Sequence, residues 1–105
     1  MANMPSYQLT PNAQSNLIEI RRYTLAKWDR LESKKYLSEL RQTIHLLCEA
    51  PNLGKLMHDV AVGVFSFPYA NHVIYYVLNK RQLVVFGVLH KRMVPLNHLE
   101  NREVP

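Results

Sequence analysis

Two segments of this chain, VIYYVL at residues 73–78 and LVVFGVL at residues 83–89, most constrain how it can fold. Both are rich in β-branched and aromatic residues, and only Asn79, Lys80, Arg81 and Gln82 separate them, so they predict a β-hairpin with a polar turn. Strand side chains alternate between faces, which puts Val73, Tyr75 and Val77 on one side and Ile74, Tyr76 and Leu78 on the other. Both faces of the resulting sheet are apolar. One layer of helices covers one face only. Leaving the second in water would forgo about 25 cal/mol for each Å² of apolar surface and would invite association. The expectation is that a bound peptide or a second subunit covers it; the alternative is that the tail from Val94 to Leu99 folds back over it.

The preceding residues supply the helices. Tyr7 to Leu9 reads as an edge strand, followed by Thr10, which can cap a helix, and Pro11, which suits its first turn. Ala13, Leu17, Ile20, Thr24 and Trp28 then recur every three or four positions, as on one face of an amphipathic helix. Asp29 and Glu32 have the spacing of a capping box, so a second helix starts there, with Tyr36, Leu37, Leu40, Ile44, Leu47 and Cys48 as its stripe and Pro51 as its stop. The short break makes the two helices an antiparallel hairpin. Residues 52–63 read as irregular, 64–67 as a strand and 68–71 as a turn. The order strand, helix, helix and three strands predicts an α+β domain: an N-terminal strand, and a helical hairpin packed on one face of a four-stranded, mainly antiparallel sheet.

With 105 residues there is room for one core and one domain, spanning 1–105, and the sequence leaves open whether residues 94–105 form a flexible tail. The net charge of +5 favours an acidic partner. The single cysteine, Cys48, excludes an internal disulfide framework and suits a reducing compartment, and no segment has the apolar length of a membrane span or the layout of a signal peptide. A cytoplasmic protein with no membrane contact is expected. His45 and Cys48 lie one helical turn apart, but a zinc site needs three or four ligands and no second pair fits, so neither metal nor cofactor is expected. His58 beside Asp59 and His72 beside Asn71 read as loop hydrogen-bonders. Phosphate-cradling glycine loops, GxSxG and HExxH are absent from the sequence.

Taken in order, the opening LTPNAQSNLIEIRRYTLAKW, then YLSELRQTIHLLCEAPNLGK, FPYANHVIYY and VLHKRM resemble the ParE toxins of the ParE/RelE superfamily, with Leu9, Thr10, Ala13, Leu17, Ile20, Tyr23 and Trp28 matching the family's opening pattern. Two positions depart from that pattern: Asn16 and Val94 each stand where the family often has an acidic residue, and both are expected at the surface. The resemblance implies a RelE/ParE-like fold and the toxin half of a bacterial type II toxin–antitoxin pair. It implies a non-enzymatic protein that inhibits DNA gyrase and replication, is neutralised by a ParD-like or other DNA-binding antitoxin in a hetero-oligomer, and meets DNA only through that antitoxin.

The residues leaving the last strand, His90, Lys91, Arg92 and Met93, form the expected target-binding patch, since Arg92 can grip a carboxylate or phosphate with two donors. Leu17, Ile20, Tyr23, Trp28, Tyr36 and Tyr76 are the expected antitoxin-binding residues if the antitoxin docks across the helices, because buried aromatics dominate interface energy. Arg21, Arg22, Lys27, Arg30, Lys34 and Lys35 make the helix-to-helix end basic, which suits an acidic antitoxin tail. The rival reading is a ribosome-dependent mRNA interferase of the RelE type. It needs a base, an acid and phosphate-binding cations together, with Tyr75 or Tyr76 converging on His90, Lys91 and Arg92, whereas VIYYVL and LVVFGVL contain no Lys, Arg or His.

Overall fold

A proline and two capping side chains set the helical half of the molecule. The structure, a computed structural model, describes residues 6–100, 102, 104 and 105. Strand β1 (Tyr7–Leu9) runs directly into helix α1 (Pro11–Lys27), where Thr10 Oγ1 accepts the Ala13 N–H at 3.2 Å and Pro11 occupies the first turn. After an extended Trp28, Asp29 caps helix α2 (Arg30–Glu49) by accepting the Glu32 N–H at 2.8 Å. At the turn between the helices Thr24 Oγ1 and Ser33 Oγ lie 2.6 Å apart, buried, so two small polar side chains satisfy each other there. A single 3-10 turn, Pro51–Leu53, ends the helical hairpin.

Among the described residues the sheet has five strands in the order β1-β5-β4-β3-β2, one more than expected. The extra strand, β2 (Lys55–Leu56), is two exposed residues long and carries no alternation to reveal it. It pairs with β3 (Phe65–Tyr69), which runs through Pro68, so the expected turn at 68–71 shrinks to Ala70 and Asn71. Strands β4 (His72–Asn79) and β5 (Gln82–His90) form the central hairpin, and β1 joins β5 in parallel along Leu83–Val85. Among the described residues three non-glycine residues sit at positive φ: Ala70 (50°), and both residues of the β4–β5 turn, Lys80 (50°) and Arg81 (68°). Each such placement costs about 1 kcal/mol or more.

Alternation holds as expected. Ile74, Tyr76, Leu83, Val85 and Val88 pack beneath Ala13, Leu17, Ile20, Tyr36, Leu40, Ile44 and Leu47, while Tyr75, Val77, Val84, Phe86 and Leu89 form a second core on the opposite face. A bulge in β5 opposite Tyr75 and Tyr76 adds one residue, so that Gly87 faces the second core after Phe86, and Val88 returns to the helical side.

The expected partner over the second face is corrected here, because the chain covers that face itself. The segment before β3 contributes Met57, Val60, Ala61 and Val64, and the tail contributes Leu99 and Val104. The tail contains helix α3 (Pro95–Leu99), whose Leu99 is only 1% exposed, so this part of the tail folds back over the second face, as the alternative reading had it. Gly87 makes the docking possible: a Cβ there would lie 2.8 Å from Leu99 Cδ2 and 3.1 Å from Arg102 Nη1.

Candidate functional site

Strand β1 spans only the first part of β5, so beyond Val85 the outer edge of β5 has no neighbouring strand among the described residues. Side chains take that strand's place. Asn16 Oδ1 accepts the Val88 N–H at 3.1 Å and one Arg102 Nη1 hydrogen at 2.8 Å, and the same Nη1 donates to the Phe86 carbonyl at 3.0 Å. Asn16 is buried, not the surface position expected from its departure from the family pattern. An acid in its place would still accept both bonds; what an amide adds is neutrality in a buried position, where an extra charge is costly. Burial lowers the Arg102 pKa, and the nearby Glu19 acts against that.

This edge, α1 and the tail enclose an open groove of about 610 Å³, lined among others by Glu19, Tyr23, His72, His90, Arg92 and Arg102. At its end the four expected target-binding residues emerge together: His90 half-buried, Lys91, Arg92 and Met93 exposed. They form an ordered turn. The Lys91 N–H donates to the Asn71 carbonyl at 2.9 Å, the Met93 N–H to the His90 carbonyl at 2.9 Å, and the Arg92 N–H to His90 Nδ1 at 3.2 Å.

Beneath the turn lies a histidine that the sequence reading assigned to a loop. His72 is buried, 2.7 Å from the Tyr36 hydroxyl through Nδ1 and edge-on to His90 with centroids 5.5 Å apart. Burial, and secondarily His90, pushes its pKa down to about 4, so it is neutral at neutral pH. The Tyr36 oxygen also accepts the Asn71 N–H at 3.3 Å, so the phenol ties the β3–β4 turn to the histidine. Tyr36 additionally packs with Trp28 and Tyr69, whose hydroxyl donates to the Tyr36 carbonyl at 2.9 Å; burial raises the Tyr69 pKa to about 12. The patch therefore stands on a buried aromatic cluster. A lone histidine at the start of an apolar strand was the only sequence signal for it.

The expected antitoxin-binding residues divide. Leu17, Ile20, Tyr36 and Tyr76 are 9% exposed or less and belong to the helical-face core, the first three because they lie on the helical stripes that meet the sheet and Tyr76 because it lies on the sheet face beneath them. As contacts for a partner they are corrected to fold-forming residues. Tyr23, 49% exposed, and the half-buried Trp28 remain available. What the helical hairpin does present is a second groove between the outer sides of α1 and α2, with Leu25 and Leu37 along it, Ile18 further along, and Arg21, Arg30, Lys34 and Arg41 on its rim. Its lining contains no carboxylate among the described residues.

The arrangement an RNA-cutting site would need is not formed. Tyr75 and Tyr76 point to opposite faces, both buried, and the Tyr76 hydroxyl donates to the Pro51 carbonyl at 2.6 Å beside Gly54, where a Cβ would collide with it. Among the described residues, no cluster of three His, Cys, Asp or Glu could hold a metal, and no helix is long and apolar enough to cross a membrane.

These features define a small α+β domain with exposed basic and apolar surfaces. The family described as ParE toxin of type II toxin-antitoxin system, parDE, matches residues 7–95. The chain belongs to that family and is the toxin of a type II toxin–antitoxin system, of a kind that is not enzymatic. It is 28% identical to Toxin ParE1 of Caulobacter vibrioides over 96 residues, covering 91% of this chain and 99% of that one. It is 26% identical to Toxin ParE of Escherichia coli over 100 residues, covering 94% and 97%. A solved chain of the chromosomal ParDE TA system from P. aeruginosa has the same fold, with a TM-score of 0.71 at 13% identity over 85% of this chain and 98% of that one.

Proposed function

We propose that this ParE toxin inhibits DNA gyrase through the turn at His90, Lys91, Arg92 and Met93, and that an antitoxin neutralises it by binding along the outer groove of the helical hairpin. The family match over residues 7–95 carries the reading. The turn supports it by presenting a cation pair and an apolar Met93 on a rigid base. The groove supports the second half: its four cations and leucine-lined floor suit an acidic amphipathic helix, with Tyr23 and Trp28 as contacts for a segment that continues past it.

The test is a supercoiling assay with purified gyrase that also scores trapped cleaved DNA. Wild-type protein should inhibit supercoiling and accumulate cleaved DNA, and Arg92→Ala should need about tenfold more protein for the same effect, a loss of about 1.4 kcal/mol in binding. Undiminished gyrase activity at a large excess of folded wild-type protein would end the gyrase reading. Equal potency of Arg92→Ala would remove the turn from it. For the groove, Arg21→Glu with Arg41→Glu should weaken the antitoxin complex while leaving inhibition intact.

A further inference from the structure

The β4–β5 turn is a second basic site that the reading above does not use. Lys80 and Arg81 occupy both central positions of a two-residue turn closed by the Asn79–Gln82 pair, with φ of 50° and 68°. Turns of this shape favour Asn-Gly, because asparagine and glycine tolerate positive φ. A lysine and an arginine are poor occupants of that backbone, and neither side chain bonds another described residue. Among the described residues nothing accounts for them.

Ala70 is also at φ 50°, so strain alone does not mark a site. What sets Lys80 and Arg81 apart is their charge and surroundings. From Val60 to Leu99 the sequence contains no Asp or Glu, so no carboxylate lies near them along the hairpin to neutralise them. The ribbon also projects: Leu78 is 46% exposed, and Asn79, Lys80 and Arg81 are exposed, whereas Leu83 is buried where β1 joins the sheet. Only the Asn79–Gln82 pair and the turn extend past β1, so the two cations stand at the protruding corner of the sheet, where they complement a polyanion, and an arginine fork matches phosphate. The tip lies at the opposite end of β5 from His90, about 30 Å away at the usual rise per residue, so it is separate from the gyrase patch.

We propose that the Lys80–Arg81 tip of the β4–β5 ribbon is a contact site for the phosphate backbone of duplex DNA. The protein then touches DNA directly, and not only through its antitoxin. This goes beyond the gyrase reading and does not depend on it.

The test is fluorescence anisotropy of a labelled mixed-sequence duplex of about 20 base pairs, titrated with the full chain at about 50 to 200 mM KCl. Two variants separate charge from backbone. Lys80→Asn with Arg81→Gly removes both charges and relieves the turn; Lys80→Gln with Arg81→Gln removes the charges and keeps the backbone. Both should bind about tenfold more weakly at the lowest salt and lower the slope of log K against log salt by about 2. Only the Asn-Gly variant should also raise Tm, by roughly 5 °C. Ala70→Gly should raise Tm and leave DNA affinity unchanged. The proposal is overturned if the wild-type chain does not bind the duplex at the lowest salt, if either double variant binds as tightly as wild type, or if the Asn-Gly turn lowers Tm. Displacement of the duplex by polyglutamate at equal charge would identify an acidic protein surface as the occupant and would overturn it too.

Discussion

The two faces of the central sheet are about equally apolar but are buried by different means. On the helical face, two helices of 17 and 20 residues lay continuous stripes over Ile74, Tyr76, Val85 and Val88. On the other face, the segment before β3 and a five-residue helix cover Tyr75, Val77, Val84 and Phe86, and the tail is held chiefly by Leu99 against Gly87 and by Arg102 on Asn16 and Phe86. An apolar face therefore need not imply a partner. A short tail suffices where a glycine admits one leucine and an edge carbonyl accepts one arginine.

The contrast can be broken by substitution. Leu40→Ala, at a fully buried site under the helices, should cost about 3 to 4 kcal/mol and lower the stability of the whole domain, read from the urea midpoint. A similar loss should follow from acid. His72 has a pKa of about 4 in the folded chain against 6.5 when free, so the unfolded chain binds the proton more tightly. Stability is then full above pH 6.5 and declines as pH falls toward 4, by about 3 kcal/mol from this group. His72→Gln should flatten that part of the urea-midpoint profile, and an unchanged slope would exclude His72 as its source.

Leu99→Ala should cost less, about 2 kcal/mol, because a terminal helix can settle into the space it leaves. Its mark should be local: stronger dye binding to the uncovered sheet with helical circular dichroism retained. A loss as large as that of Leu40→Ala would show that the two faces are equally braced. The smallest effect should be a gain. Val94 stands at the start of α3 without a side-chain bond to its backbone, so Val94→Asp should cap it and add about 0.5 to 1 kcal/mol, seen as a higher Tm.

The helices and the central hairpin were legible in the sequence because their signals are local: Thr10 with Pro11, Asp29 with Glu32, and β-branched runs about a polar turn. The fifth strand was not, since two exposed residues have no periodicity. The covering of the second face was not legible because Leu99 looks like any tail leucine until the bulge turns Gly87 toward it. Of the candidate site, the run His90 to Met93 was readable as a basic exit from a strand. Its footing on Tyr36 and His72 joins residues 36 positions apart and leaves no pattern in the chain. The reading of Leu17, Ile20, Tyr36 and Tyr76 as partner contacts failed because large apolar residues mark a core and an interface alike.

The parallel pairing of β1 with β5 has a consequence for synthesis on the ribosome. Tyr7 meets Leu83, so the first strand made waits for nearly the last. Closing so long a loop is entropically costly and slow, and it cannot begin until Gln82–His90 has left the exit tunnel. Until then the nascent chain holds a helical hairpin whose apolar stripe has no complete sheet beneath it. A translation product that stops short of β5 lacks the partner of β1, the central hairpin and the tail together, which makes a prematurely terminated chain a substrate for proteolysis and not a smaller toxin.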